Sequence, residues 1–127
     1  MSTHIKATIV TYTTAADYST TGQYLFCYLS SNTAVTKTAT KGGNSIGVIM
    51  NAPESGDRTE VAVMGGALVL AAETIARGEQ ITSNSSGQAI NPDAAGQRLN
   101  GVAMESADSG DIFPILLTIG ESHAAEA

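Results

Sequence analysis

Hydrophobic residues in this chain gather in short runs, each cut off by glycine, asparagine, serine or threonine. Tyr24-Leu25-Phe26-Cys27-Tyr28-Leu29, Ile46-Gly47-Val48-Ile49-Met50 and Ile112-Phe113-Pro114-Ile115-Leu116-Leu117 are too short for helices and favour strands. The central stretch, Glu60-Val61-Ala62-Val63-Met64-Gly65-Gly66-Ala67-Leu68-Val69-Leu70, sets two apolar runs on either side of a Gly-Gly pair. Glycine reaches the positive φ angles of a tight turn at no steric cost, so the pattern predicts a β-hairpin turning at Gly65-Gly66. A single helix over 61–72 would instead carry two adjacent glycines, at about 2 kcal/mol relative to alanine.

A glycine followed by a polar residue and then an apolar run recurs at Gly22-Gln23, Gly56-Asp57, Gly78-Glu79 and Gly110-Asp111. The irregular spacing excludes a solenoid and points to one turn type reused within a single β-domain. Residues 1–20, where Ile5, Ala7 and Ile9 alternate with Lys6, Thr8 and Val10, read as an N-terminal strand or extended arm. Residues 21–119 form the single β-domain, and 120–127 a polar, flexible tail. Asn91–Asn100 reads as a loop, with at most a turn or two of helix near Pro92. Pro114 cannot donate to a ladder and marks a strand edge or bulge. The expected fold is all-β, a small compact sandwich or barrel with glycine-rich turns and an extended N-terminal arm. Val61, Val63, Leu68, Val69, Ile81, Val102, Ile115 and Leu117 are its expected core.

Composition narrows the function. The 127 residues make one domain with enough apolar content, 43%, for a core that needs no disulfide or metal. Only 14% are charged, against about a quarter in a typical domain, which suits a surface partly covered by neighbours. A net charge of −6 with six scattered basic residues argues against nucleic-acid binding. Lys37 and Lys41, the closest basic pair, read as a solvated loop. No run reaches membrane-spanning length and no apolar leader precedes Lys6, so a reducing cytoplasm is the expected place of synthesis. There the Asn84-Ser85-Ser86 sequon means nothing, and Cys27, the sole cysteine, is a buried structural thiol.

Candidate chemistry is sparse. Gly43-Asn44-Ser45-Ile46-Gly47 matches the G-x-S-x-G nucleophile elbow, but an elbow leads into a helix and here a strand follows. The two histidines, His4 and His123, lie near the termini and share no metal-ligand spacing with Cys27. Asp108-Ser109-Gly110-Asp111 is too short for a calcium loop and reads as a β-turn, while Glu54, Asp57 and Glu60 read as solvated charges. No catalytic set, metal site or cofactor site is expected.

The ordered series Gly22-Gln23, Ile46–Met50, Ser55-Gly56-Asp57, Val61–Gly66, Ile75–Ile81 with Gly87, Gly101–Glu105 and Ser109–Leu117 resembles the capsid decoration (cement) proteins of tailed bacteriophages. The resemblance covers nearly the whole chain. It implies a compact β-fold without enzyme activity or cofactor, bound to the outside of a capsid lattice. The implied partners are the major capsid protein and sister copies, as a homotrimer near three-fold and quasi-three-fold positions, with no nucleic acid or membrane. The implied location is the virion, on the capsid exterior, after synthesis in the host cytoplasm. An N-terminal arm often reaches the capsid or a neighbour in such proteins. Here Thr3, Ile5, Ala7, Ile9, Thr11 and Tyr12 are the candidate contacts, through strand addition to a neighbouring sheet edge. The competing reading makes Ile5–Val10 the first strand of the protein's own sheet. Rival functions are another phage structural β-domain, in tail or baseplate, and a small ligand-binding or hydrolytic β-barrel.

Overall fold

Short β-branched segments bury little by themselves and need partners on both edges, and the chain supplies these by curling half of its sheet into a ring. The computed structural model describes residues 7–14 and 16–121. Among these there is no helix and there are nine strands: β1 (Ala7–Thr14), β2 (Phe26–Leu29), β3 (Ala34–Lys37), β4 (Gly47–Ile49), β5 (Arg58–Leu70), β6 (Gln80–Ser83), β7 (Ala89–Ile90), β8 (Arg98–Ala103) and β9 (Ile112–Glu121). The sheet order is β1-β3-β2-β4-β5-β9-β8-β6-β7, and β1 also pairs with β5. That extra pairing closes β1, β3, β2, β4 and β5 into a five-stranded barrel. The remaining strands extend from β5 as an outer sheet.

The Gly65-Gly66 hairpin does not form; the whole stretch is one thirteen-residue strand. A two-residue turn of the I′ type needs positive φ at both central positions. Only Gly65 has it, at +85°. The flanking residues pair outward instead of with each other: Val61 and Ala62 with β4, and Gly65 through Leu70 with β9. Next to Gly65 the register against β1 slips, with Thr8 opposite Met64 and Ile9 opposite Ala62, so Val63 is a β-bulge. Bulges bend and twist a strand. The permissive backbone therefore redirects β5 from barrel to outer sheet rather than reversing it.

Alternation along the shared strands sorts the core into two layers. Cys27, Val35, Ile49 and Val61 are buried with Tyr18 inside the barrel, and Tyr12 and Val63 pack against them. Their neighbours Phe26, Val48 and Ala62 face the other way and join Val69, Ile75, Ile81, Phe113 and Ile115 under the outer sheet. Both faces of β2, β4 and β5 are thus covered where they meet. Leu68 and Val102 depart from the expected core: both are half-buried, on the outward parity of β5 and β8.

Pro114 sits inside β9 without costing a ladder bond. Its carbonyl accepts from Met104, just beyond the last residue of β8, so its missing N–H falls where that ladder ends. β8 begins at Arg98, within the stretch read as a loop, and Asn91–Ala95 holds no helix. β9 continues through Gly120 and Glu121.

Candidate assembly surfaces

Two of the motifs singled out for chemistry lie in ordinary turn and strand geometry. Ser45 is buried, and its Oγ lies 2.8 Å from Thr38 Oγ1 in a hydroxyl–hydroxyl hydrogen bond. Strand β4 follows it at once, so the elbow geometry is missing; His4 and His123 lie outside the described residues. Asp108–Asp111 forms the expected β-turn: the Asp111 N–H donates to the Asp108 carbonyl at 3.0 Å, and Asp111 Oδ2 accepts from the Asp108 N–H at 3.0 Å. Among the described residues, no group of three or more His, Cys, Asp or Glu could hold a metal. Lys41 forms an exposed ion pair with Asp93, whose carboxyl is held below its usual range mainly by that contact.

Cys27 is fully buried in the barrel, where loss of hydration pushes its thiol pKa up to about 12. The thiolate that alkylating reagents need is therefore scarce. Iodoacetamide at pH 8 should label Cys27 only as fast as the barrel opens. Rapid labelling of the folded protein, read by mass spectrometry, contradicts this.

Two open surfaces bear on assembly. The first is the edge of β1. One edge pairs with β5 from Ala7 to Thr13, whereas β3 meets the other only at Thr13 and Thr14. From Ala7 to Tyr12 that second edge has no strand partner among the described residues. The candidate contacts divide here. Ile9, 42% exposed, and Thr11 stand open on this strand. Ala7 packs against the outer-sheet core and Tyr12 against the barrel core. Thr3 and Ile5 lie outside the described residues.

The second surface is the outward face of β5, β9 and β8. Register places Leu68 beside Pro114, Leu70 beside Ile112, and Leu116 between Gly66 and Val102. Ile112 is 50% exposed and Leu116 47%, yet no charged side chain stands in these rows. A sheet with one face in water normally alternates apolar with polar positions. Here β9 is apolar at both parities from Ile112 to Leu117. That unbroken run is the sequence signal for this surface. Exposed apolar positions grouped in this way make the face a candidate contact surface.

The family model for phage cement proteins matches residues 5–118. No curated protein matches in sequence. Among solved structures, the N-terminal base of head fiber gp8.5 of bacteriophage phi29 superposes with a TM-score of 0.68 at 18% identity, over 89% of this chain and 95% of that one. At that identity the likeness speaks for the fold alone. The family match runs from β1 into β9, through barrel and outer sheet alike, and this chain belongs to the phage cement proteins, structural components of the bacteriophage head.

Proposed function

We propose that this protein is a non-enzymatic decoration protein that binds the outer surface of the capsid lattice and stabilises the head. It is made in the host cytoplasm and ends on the capsid exterior, against the major capsid protein. Copies associate as a homotrimer at three-fold and quasi-three-fold positions. The observation that carries this reading is the outward face of β5, β9 and β8, where Ile112 and Leu116 are exposed beside half-buried Leu68, Leu70 and Val102. Sister copies are its fitting occupant: each carries a charge of −6, and an uncharged face is where such copies approach with least repulsion. The open edge of β1 then contacts capsid subunits by strand addition. Many modest contacts across capsomer seams add up, because each bound copy holds its neighbours together.

The test is reconstitution on capsids stripped of this protein. Electron cryomicroscopy should show trimeric density outside the shell, and bound capsids should withstand higher temperature than bare ones. Density on tail or baseplate overturns the reading, as does binding without stabilisation. Two variants separate the surfaces. Leu116→Glu puts a charge in the apolar face and should shift sedimentation from trimer toward monomer while the isolated fold persists. Ile9→Lys places a charge on the β1 edge and should weaken decoration about tenfold, leaving trimer and melting temperature unchanged. Unaltered sedimentation or unaltered decoration, respectively, would remove that surface from the account.

A further inference from the structure

Four turns in this fold share one design. In Thr40–Gly43, Glu54–Asp57, Ala76–Glu79 and Asp108–Asp111 the fourth N–H donates to the first carbonyl at 2.9 to 3.1 Å. The third residue is a glycine with φ between +67° and +92°. Gly22–Leu25 closes in the same way, with the Leu25 N–H donating to the Gly22 carbonyl at 3.2 Å. Its third residue is Tyr24, at φ +71°, the one non-glycine with positive φ among the described residues. Glycine would take that conformation freely, whereas tyrosine is strained in it. The strain is imposed from both sides: the Tyr24 N–H donates to Ile49 O at 2.7 Å, and its carbonyl accepts from the Leu70 N–H at 3.1 Å. Residues held in such conformations gather at ligand clamps.

Tyr24 lines a cleft of about 410 Å³, a volume suited to a small organic ligand. Its walls carry amides that are already anchored at one end. Gln23 Nε2 donates to Met50 O at 2.9 Å, which leaves its Oε1 as a free acceptor. Gln88 Oε1 accepts from Asn84 Nδ2 at 3.1 Å, which leaves its Nε2 as a free donor. Thr21 and Ser86 line the same cleft and add hydroxyls. Lys37 also lines it, half-buried, and its ammonium has no ion-pair partner among the described residues. Its backbone N–H donates to Tyr18 Oη at 2.8 Å. Its stem is packed so close to Gly87 that a Cβ there would stand 2.9 Å from Lys37 Cγ. An aromatic residue, an amide acceptor, an amide donor and one unpaired ammonium on a packed stem form a set that suits a polyhydroxylated ring bearing a carboxylate. The ring stacks on the C–H face, amides and hydroxyls meet the hydroxyl groups, and the ammonium meets the acid.

We propose that this cleft binds a uronic-acid-type sugar residue, a role separate from capsid attachment. The experiment is an amide NMR titration of the full chain with digalacturonic acid, and with a neutral galactose disaccharide as control. Shifts should map to residues 20–25, 37 and 86–88, with a Kd on the order of 1 mM. Tyr24→Gly keeps the turn, relieves its strain and should leave the melting temperature no lower, yet weaken binding about tenfold. Lys37→Met keeps the packed stem and should abolish the preference for the acidic sugar. Three results overturn the proposal: no shifts at concentrations on the order of 10 mM, equal affinity for the neutral sugar or for an acidic dipeptide, or binding unchanged in Tyr24→Gly.

Discussion

Gly47→Ala is expected to keep the barrel from closing. A Cβ at position 47 would stand 2.2 Å from the Ala62 carbonyl oxygen and 2.9 Å from Val61 Cγ1. The obstacle is the backbone of β5, which cannot swing aside as a flexible side chain can. β4 is only three residues long and is held by Cys27 and Phe26 on one edge and by Val61 and Ala62 on the other. Moving it far enough to admit a methyl group breaks both sets of pairs. Overpacking costs about 1–3 kcal/mol, and each lost hydrogen bond adds about 1. The sum, about 4 kcal/mol, is a large share of a typical domain's stability and corresponds to a fall in Tm on the order of 15 °C. Gly110→Ala is the matched control. Its φ of +92° is strained for alanine, but nothing lies within 4 Å of the added Cβ, so it should cost only about 1–2 kcal/mol. Equal denaturation midpoints for the two variants would refute the crowding argument.

Phe26→Ala should be nearly as damaging for the opposite reason. Phe26 is fully buried between barrel and outer sheet, beside residues of β4, β5 and β9. Truncation removes most of a ring from a layer whose walls are paired strands and collapse poorly. The expected loss is about 3–5 kcal/mol, read by urea unfolding. Phe26→Leu, which keeps much of the volume, should lose less than about 1.5 kcal/mol. A Phe26→Ala variant as stable as Phe26→Leu would mean that this layer repacks freely.

The strands were legible in the sequence because short β-branched runs between glycines leave the chain little else to form. Their partners were less so. Gly65-Gly66 carries the local signature of a hairpin, and only pairing with β1, β4 and β9, distant in sequence, makes it a bend within one strand. Leu68 and Val102 read as core because periodicity marks a residue as apolar without saying whether its face is covered within one copy. The same surplus, along Ile112 to Leu117, could have pointed to the assembly face. Residues 1–20 read as strand or arm; Ala7–Thr14 is a strand, paired with β3 only at Thr13 and Thr14. Tyr24 was hidden because the glycine of its turn, Gly22, precedes it by two positions. In the other four turns the glycine itself takes the positive φ. That distinction is one of backbone geometry, and residue types alone do not carry it.

β5 has one further consequence, for how the molecule fails. Its first half closes the barrel, its second half carries β9, and both are stretches of one uninterrupted strand. Neither unit owns a full set of edges without it, so melting either one removes a wall of the other. The domain should therefore unfold as one cooperative unit, in which far-UV circular dichroism and exposure of Cys27 follow the same transition. If the protein clasps a capsid as proposed, its grip would not soften by degrees as temperature or internal pressure rises; it would be lost in one step.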